Sequence, residues 1–186
     1  FGIDLHWMVH SHGAIEVARL VKKHHPDSKL VFGGLSSSYF YKELIQYPEV
    51  DYVIRGDSTE EPFRLLMDCI RNGTAPDTVP NLVWKDSRSE TQENPFTNIP
   101  EDLNNVMDKH YEGVIRSVFR YRDLISYIPF RDWLRYPITA VLTCRGCTHS
   151  CIICGGSAAA FRHIHHRDKP VFRTPEQVFK DIKQIE

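Results

Sequence analysis

Hydrophobic residues in the first 84 positions form short apolar runs that alternate with stretches of helical spacing. The runs FGIDL (1–5), KLVF (29–32) and VDYVI (50–54) predict buried strands. Residues 13–25 form an amphipathic pattern that predicts a helix, and Pro26 helps to end it. A shorter helix is predicted at 39–47. The order strand, helix, strand, helix, strand predicts an α/β fold with an open, mostly parallel sheet.

The stretch RGDSTEEPF (55–63) is predicted to open a third helix, which ends at Asn72-Gly73. Ser58 and Glu61 have the spacing of a capping box at its start. Farther along, PNLVW (80–84) predicts another strand.

The second half of the chain has a weaker periodic pattern. Residues 85–95 are polar and turn-like, and 96–137 mix aromatic, charged and proline residues without a clear period. ITAVLT (138–143) predicts a strand, and a basic, histidine-rich loop is expected at 161–173. A final helix begins cleanly at Thr174 as N-cap, with Pro175 in its first position and Gln177 completing the box. The cysteine-rich stretch thus lies between a strand and a helix.

These patterns divide the chain into an α/β domain (1–84), a linker (85–137) and the start of a further domain (138–186). The chain opens inside a predicted strand and closes inside a predicted helix. We therefore expect a piece of a longer protein whose sheet has an earlier strand missing.

Composition narrows the possible functions. The 186 residues carry a formal net charge of -1, and 41% are hydrophobic. A near-zero charge argues against binding to nucleic acid or to an anionic membrane surface. No run of 18 apolar residues and no signal peptide occurs, so we expect a cytoplasmic protein without a membrane span.

Four of the five cysteines lie within CRGCTHSCIICGG (144–156). Cys69 stands apart in a helical apolar pattern that favours a buried small side chain. Structural zinc sites separate their two CxxC pairs by a dozen or more residues, whereas three residues separate Cys147 from Cys151. A wider iron–sulfur cluster suits closely spaced thiols better. A zinc-stabilised binding module remains the alternative.

The pattern Cys147-x3-Cys151-x2-Cys154 resembles the signature of radical S-adenosylmethionine (radical SAM) enzymes. The resemblance implies that these three cysteines hold a [4Fe-4S] cluster whose open iron binds S-adenosylmethionine. Reductive cleavage would then give a 5′-deoxyadenosyl radical, with an electron donor as partner. Arg145-Gly146 and the preceding strand match the family, whereas Ile153 stands where an aromatic residue is common. Cys144 is interpreted as a non-ligand, and Gly155-Gly156 would let the chain pass close to the cluster.

The first domain resembles the cobalamin-binding domain that precedes many radical SAM domains. Asp4-Leu5-His6 lies at the position of that family's Ser-x-Leu pattern, and Gly33-Gly34 follows at the family's spacing. DYVIRGDSTEEPF resembles the strand and Gly-Glu stretch of these domains, with Gly56 and Asp57 at its centre. The resemblance implies a cobalamin site at Asp4, His6 and 33–37.

Several residues near this site keep two interpretations. Gly33-Gly34 forms either a tight turn or a close approach for a ligand, at the strand end where open α/β sheets bind cofactors. Ser36, Ser37 and Ser38 either bond the nucleotide tail of cobalamin or fill an exposed loop. His6, His10 and His12 are better explained as loop or core histidines than as ligands.

The stretch FRHIHHRDKP (161–170) keeps three interpretations. His163, His165 and His166, with Arg162 and Arg167, either bind an anionic substrate or belong to a solvated basic loop. The histidines are also candidates to complete a zinc site with Cys144.

The resemblance implies a Rossmann-like cobalamin-binding sheet, a linker and the first β/α unit of a partial TIM-type radical SAM barrel. The full-length protein would be an enzyme that cleaves S-adenosylmethionine for radical chemistry on an unknown small-molecule substrate, often methyl transfer through methylcobalamin. The chain alone is expected to be inactive. A noncatalytic cobalamin carrier is the second alternative.

Overall fold

A computed structural model describes most of the chain, and its internal contacts divide the chain into two compact units. Residues 1–104, 111–123, 125, 131–133, 135–136, 138 and 140–185 are described. The first unit combines Phe1–Glu101 with Gly146–Pro170, and the second combines Asp102–Arg145 with Val171–Glu186. The cysteine-rich stretch is therefore divided, with Cys144 in the second unit and the other three cysteines in the first.

The first unit contains a five-stranded mixed sheet in the order β1-β2-β3-β4-β5. Its strands are β1 (Gly2–Asp4), β2 (Val31–Gly33), β3 (Tyr52–Ile54), β4 (Leu82–Lys85) and β5 (Thr91–Glu93). The first three strands are parallel, and β4 and β5 are added antiparallel. The register pairs Asp4 with Gly33, so two predicted cofactor residues end neighbouring strands at the same edge.

Five α-helices lie in the described part of the first unit, and the first four connect strands of its sheet. They are α1 (Ser11–His24), α2 (Leu35–Tyr39), α3 (Tyr41–Leu44), α4 (Glu60–Asn72) and α6 (Ala158–His165). Gly73, with a φ of 66°, caps the C-terminal end of α4 in the left-handed conformation, as the Asn-Gly pair predicts. The N-cap of α4 is Thr59, without a side-chain hydrogen bond, so the predicted capping box at Ser58 is wrong.

Strand alternation gives the sheet two apolar faces. One face packs Phe32 and Val53 against Ile15 and Ala18 of α1. The other packs Val31 and Ile54 with Leu66 of α4. Successive strand side chains point to opposite faces, so β2, β3 and β4 each contribute to both cores. This two-sided burial explains why the strands were recognisable as continuous apolar runs.

Three predicted boundaries differ from the structure. The helix predicted at 39–47 is two short helices that begin at Leu35, directly after the double glycine. The sheet continues through β5, so residues 85–93 belong to the first unit although they were assigned to the linker. Residues 161–165 continue α6, so a loop over all of 161–173 is wrong.

The second unit contains α5 (Tyr111–Tyr121), α7 (Pro175–Ile185) and a two-stranded antiparallel sheet of β6 (Cys144–Arg145) and β7 (Val171–Phe172). The described residues 138 and 140–143 are not strand, so the strand predicted at 138–143 is displaced to Cys144. The start of α7 is as predicted, because the Gln177 amide donates to Thr174 Oγ1 at 3.3 Å.

A buried ion pair stabilises this second unit. Arg173 Nη1 donates to Asp181 Oδ2 at 2.6 Å and to the Leu142 carbonyl at 3.1 Å. Both side chains are almost completely buried. The guanidinium therefore links α7 to the segment that precedes β6.

Within the part of the chain that the structure describes, no helix is both long and apolar enough to cross a membrane.

Candidate functional site

The cysteine loop runs from Gly146 to Ser157 and leads directly into α6. Cys147 is half-buried, while Cys151 and Cys154 are exposed, and none of the chain's five cysteines is in a disulfide. The Cys154 amide donates to the Cys151 carbonyl at 3.3 Å, and the Ala158 amide donates to the His149 carbonyl at 2.8 Å. The loop is thus a folded turn that displays three free thiols.

Ser157 ends this loop as the N-cap of α6, and its hydroxyl accepts the Ala160 amide at 3.3 Å. The helix ends at His165, and its C-cap, His166, is left-handed with a φ of 53°. A serine before an alanine run is an N-cap signal, so the helix was recognisable from the sequence. Its position fixes the C-terminal end of the cysteine loop.

The three thiols do not converge in this arrangement. No group of three or more His, Cys, Asp or Glu side chains within the described ranges is placed to hold a metal ion. The donor chemistry nevertheless fits an iron–sulfur cluster, since three unpaired thiols lie on one short loop. The ligand role of Cys147, Cys151 and Cys154 stays a prediction. Ile152 and Ile153 between the last two cysteines are fully exposed.

Gly146 is the glycine that this loop requires. Its φ is +96°, and a Cβ at this position would lie 2.8 Å from Pro170 Cα and 3.2 Å from Arg167 Cδ. A Cβ on Gly155 would meet nothing within 4 Å, and a Cβ on Gly156 would make only ordinary van der Waals contacts. The close approach in this loop is therefore that of Gly146 to protein atoms, while the passage of Gly155-Gly156 close to a cluster stays a prediction.

The double glycine at the end of β2 combines two roles. Gly34 has a φ of +101°, and a Cβ there would lie 2.8 Å from the Leu5 carbonyl, so this glycine permits close packing of two chain segments. A Cβ on Gly33 would meet nothing within 4 Å. With Asp4 and Gly34 it lines a cavity of about 350 Å³ at the strand edge. The cavity has room for part of a ligand beside Gly33.

The three serines after the double glycine lie in α2, and Ser37 and Ser38 are buried, so an exposed loop is wrong for them. Ser36 Oγ donates to the His6 carbonyl at 3.0 Å. Ser38 Oγ accepts the Gly56 amide at 2.9 Å. Ser37 Oγ has no hydrogen-bond partner among the described residues. The Ser37 side chain is fully buried and does not line the cavity beside Gly33, whereas the His6 side chain is exposed.

A buried arginine follows β3, and sequence reasoning did not single it out. Arg55 donates to the Asn94 carbonyl at 2.7 Å and pairs with Glu93 of β5. Its guanidinium lies 4.7 Å from the Tyr41 ring centroid and 5.4 Å from that of Phe96. Arg55 therefore ties the end of β3 to β5 and to the chain beyond the sheet.

Gly56 and Asp57 come next, and both have defined partners. Gly56 has a φ of +116°. Asp57 forms a two-point ion pair with Arg167, whose Nε and Nη2 donate to the two carboxylate oxygens, the latter at 3.1 Å. The side chains of Arg167 and Asp57 are 2% and 6% exposed, respectively. Sequence reasoning named each residue but did not pair them, since 110 positions separate them.

The residues of the histidine-rich stretch have different partners and different exposure in the structure. Arg167 is occupied by Asp57, and Arg162 pairs with Asp168 on the surface. His163 is exposed. Arg167 is thus engaged within the chain, whereas Arg162, His163 and His166 are exposed, and their binding of an anionic substrate stays a prediction. The described residues contain no His and Cys group of three that would form the alternative zinc site.

His165 is buried, 1% exposed, and neither ring nitrogen has a hydrogen-bond partner among the described residues. Burial lowers the pKa of His165 to about 4, against an attraction from Asp57 that raises it. The imidazole is neutral at physiological pH as a result. A fully solvated basic loop is therefore wrong for this position.

The curated relatives found by comparison with known proteins are both named as methyl-transferring enzymes. A hopanoid C-3 methylase from Methylococcus capsulatus is 26% identical over 194 aligned positions, which cover 98% of this chain and 31% of that protein. A cytidylyl-2-hydroxyethylphosphonate methyltransferase from Streptomyces wedmorensis is 25% identical, over 77% of this chain and 29% of that protein. The chain spans about a third of the length of these curated relatives. No protein-family model matches it.

Two solved structures resemble the fold over 99% of the chain. One is the cobalamin-dependent S-adenosylmethionine radical enzyme OxsB with aqua-cobalamin and S-adenosylmethionine bound (TM-score 0.67, 16% identity, 22% of that chain). The other is the radical S-adenosylmethionine methyltransferase TsrM from Kitasatospora setae with tryptophan and a SAM analogue bound (TM-score 0.66, 17% identity, 34% of that chain). TsrM is also known with cobalamin and a [4Fe-4S] cluster. The predicted resemblance is confirmed, since this chain shares its fold with cobalamin-dependent radical SAM enzymes.

Proposed function

We propose that this chain is part of a cobalamin-dependent radical SAM enzyme. Its first unit would bind cobalamin and a [4Fe-4S] cluster, and the β6 and α7 region would begin a partial TIM-type barrel in the full-length protein. The observation that carries the proposal is the fold shared over 99% of the chain with OxsB and TsrM, combined with three free thiols on one loop.

Cys147, Cys151 and Cys154 would ligate the cluster. Two of the thiols are exposed and the third is half-buried, so iron and sulfide can reach them. The loop is fixed at both ends, by Gly146 and by the N-cap of α6, while its centre is open to solvent. Closing three thiolates around a cluster needs side-chain rotation and movement of the exposed turn only.

Cobalamin would bind at the carboxyl edge of the parallel strands. Asp4 and Gly33 end neighbouring strands there, and the adjoining cavity of about 350 Å³ supports binding of part of the cofactor. Open α/β sheets bind cofactors at this edge.

The bound cluster would supply one electron that breaks a carbon–sulfur bond of S-adenosylmethionine, releasing methionine and a 5′-deoxyadenosyl radical that abstracts hydrogen. The chain's own residues hold the loop, with thiols outward, on the unit that carries the cobalamin edge. Methyl transfer is the reaction class we propose, because both curated relatives are named for it. The electron would come from an external donor protein.

The test is anaerobic reconstitution of the full-length protein with iron and sulfide. We expect about four irons per chain and absorbance near 400 nm, as is typical of cubane clusters. Cys147→Ala should lose both signals. The matched controls are Cys144→Ala, next to the loop, and Cys69→Ala in α4, which should keep both.

Two outcomes would overturn parts of this proposal. Zinc without iron in the wild-type protein would make the cysteine loop a structural zinc site. Production of 5′-deoxyadenosine from labelled S-adenosylmethionine without any transferred methyl group would retain radical chemistry and exclude methylation.

A further inference from the structure

The cysteine segment (Gly146–Pro170) belongs to the same compact unit as the sheet although more than 40 residues separate the two in the chain. Arg167, near the end of this segment, makes a buried contact with the chain that follows β3. Its Nε and Nη2 donate to Asp57, Nη1 donates to the Pro100 carbonyl at 3.1 Å, and Nη2 also lies 3.3 Å from Ser58 Oγ. All three guanidinium nitrogens are thus used to attach the segment to the strand edge.

We propose that Asp57 and Arg167 are positioning residues that fix the cysteine segment against the carboxyl edge of the sheet. Through that attachment they set the location of the three cysteines relative to Asp4 and Gly33. The second statement rests on the proposed function, in which the cysteines and the strand edge bind different cofactors. The first rests on the geometry of the ion pair alone.

Burial distinguishes this pair from an ordinary surface contact. Arg167 and Asp57 are 2% and 6% exposed, whereas the neighbouring pair Arg162–Asp168 is 62% and 76% exposed. Exposed ion pairs contribute little because water screens them and long side chains lose entropy. A buried two-point pair has a fixed geometry, and removal of one partner leaves an uncompensated charge.

Packing around Arg167 reinforces the fixed position. The His166 ring lies 4.5 Å from the Phe96 ring, centroid to centroid. A Cβ on Gly146 would lie 3.2 Å from Arg167 Cδ, so the start of the segment also packs on this arginine. Arg167 therefore joins both ends of the cysteine segment to one carboxylate at the end of β3.

The experiment compares four variants of the full-length protein: Asp57→Asn, Arg167→Gln, the double variant, and Asp168→Asn as matched control. Hydrogen–deuterium exchange is measured in peptides from 146–170 and from β2 and β3. We expect exchange in 146–170 to rise about tenfold or more in the first three variants, since local opening exposes the segment. Exchange in β2 and β3 should be unchanged in the double variant, and Asp168→Asn should resemble the wild type.

The double variant separates positioning from stability. Each single variant buries an unpaired charge and should lower the unfolding midpoint, whereas the double variant removes both charges and should recover much of that loss. If the ion pair only stabilises the fold, the double variant should also recover the exchange protection of 146–170. Positioning predicts that protection stays low in the double variant even where the midpoint recovers.

A second readout tests the effect on the two cofactor sites. With added reductant and cobalamin, transfer of the methyl group from S-adenosylmethionine to reduced cobalt, whose electron pair forms the new bond, releases S-adenosylhomocysteine. One-electron cleavage at the cluster would instead release methionine and a 5′-deoxyadenosyl radical, which becomes 5′-deoxyadenosine by taking a hydrogen atom from a C–H bond. We expect the double variant to lower the ratio of S-adenosylhomocysteine to 5′-deoxyadenosine about tenfold or more, because small displacements of reacting groups have large rate effects.

Wild-type exchange in 146–170 for both single variants would overturn the proposal. If hydrogen exchange in 146–170 rises but the product ratio is unchanged, the ion pair anchors the segment only. That result would refute the proposal that the pair sets the location of the cysteines relative to Asp4 and Gly33. If the wild type forms neither product, the proposed function fails, while the exchange measurement still decides whether the pair anchors the segment.

Discussion

The sheet and the cysteine segment (Gly146–Pro170) belong to one unit, yet different forces hold them. The sheet is stabilised by apolar side chains on two faces, with Phe32, Val53 and Leu66 fully buried. The cysteine segment is attached to residues 1–101 by the buried ion pair of Arg167 with Asp57 and by the contact of the His166 ring with the Phe96 ring. The stability of the sheet therefore depends on many buried residues, whereas the attachment of the cysteine segment depends on very few.

The largest effect is expected in the sheet. Phe32→Ala removes a fully buried ring from the face that packs on α1, and we expect a loss of about 3 to 5 kcal/mol in the free energy of unfolding. Urea denaturation followed by circular dichroism measures it. Phe119→Ala, whose side chain in α5 is 79% exposed, is the control. Equal losses in the two variants would contradict the packing described for Phe32.

A smaller effect, confined to the cysteine segment, is expected from Gly146→Ala. The positive φ and the approach to Pro170 oppose any Cβ, at a cost of about 1 to 3 kcal/mol. We expect faster hydrogen exchange in 146–170 with unchanged exchange in β2. Gly155→Ala, where a Cβ would meet nothing within 4 Å, is the matched control. A wild-type exchange pattern in Gly146→Ala would show that this close approach does not constrain the segment.

The smallest effect at neutral pH is expected at His165. Because burial lowers its pKa to about 4, the unfolded protein binds this proton more readily, and stability falls as the pH decreases from about 6.5 toward about 4. His165→Phe removes that contribution and should stay within about 1.5 kcal/mol of the wild type at pH 7. Unfolding midpoints measured from pH 7 to pH 4.5 check it.

The neighbouring charges make a control necessary for this pH dependence. Asp57, Arg167, His166 and His6 all act electrostatically on His165. His163→Phe on the exposed face of α6 should leave the pH dependence unchanged. If His165→Phe retains the wild-type slope, another group titrates in that range and the assignment to His165 is wrong.

The sequence predicted the parts of the molecule that depend on periodicity. Strands at KLVF and VDYVI, and the stop of α4 at Gly73, follow from apolar runs and a local backbone preference. The double glycine and Asp4 were expected at the same edge, and the register of β1 and β2 brings them there. Local patterns were sufficient for the strands and the helix stop because these involve neighbouring residues, whereas the meeting of Asp4 with the double glycine was expected from the family resemblance.

Long-range polar contacts were beyond such patterns. Nothing near Asp57 indicates that its partner is Arg167, since a charge in a loop is normally solvated. The strand predicted at 138–143 was displaced for a related reason, because β6 is defined by its pairing with β7 and not by its own apolar residues. The glycine that matters in the cysteine loop, Gly146, was recognisable only from what packs against it.

The first unit is assembled from two stretches of chain that a ribosome would produce at different times. Asp57 emerges 110 residues before Arg167, which corresponds to about 5 to 20 s of synthesis at typical rates. During that interval the strands and helices of 1–101 can fold while the Asp57 carboxylate remains hydrated. Docking of the cysteine segment is then a late step that closes a long loop, and its thiols are presented only after the sheet exists.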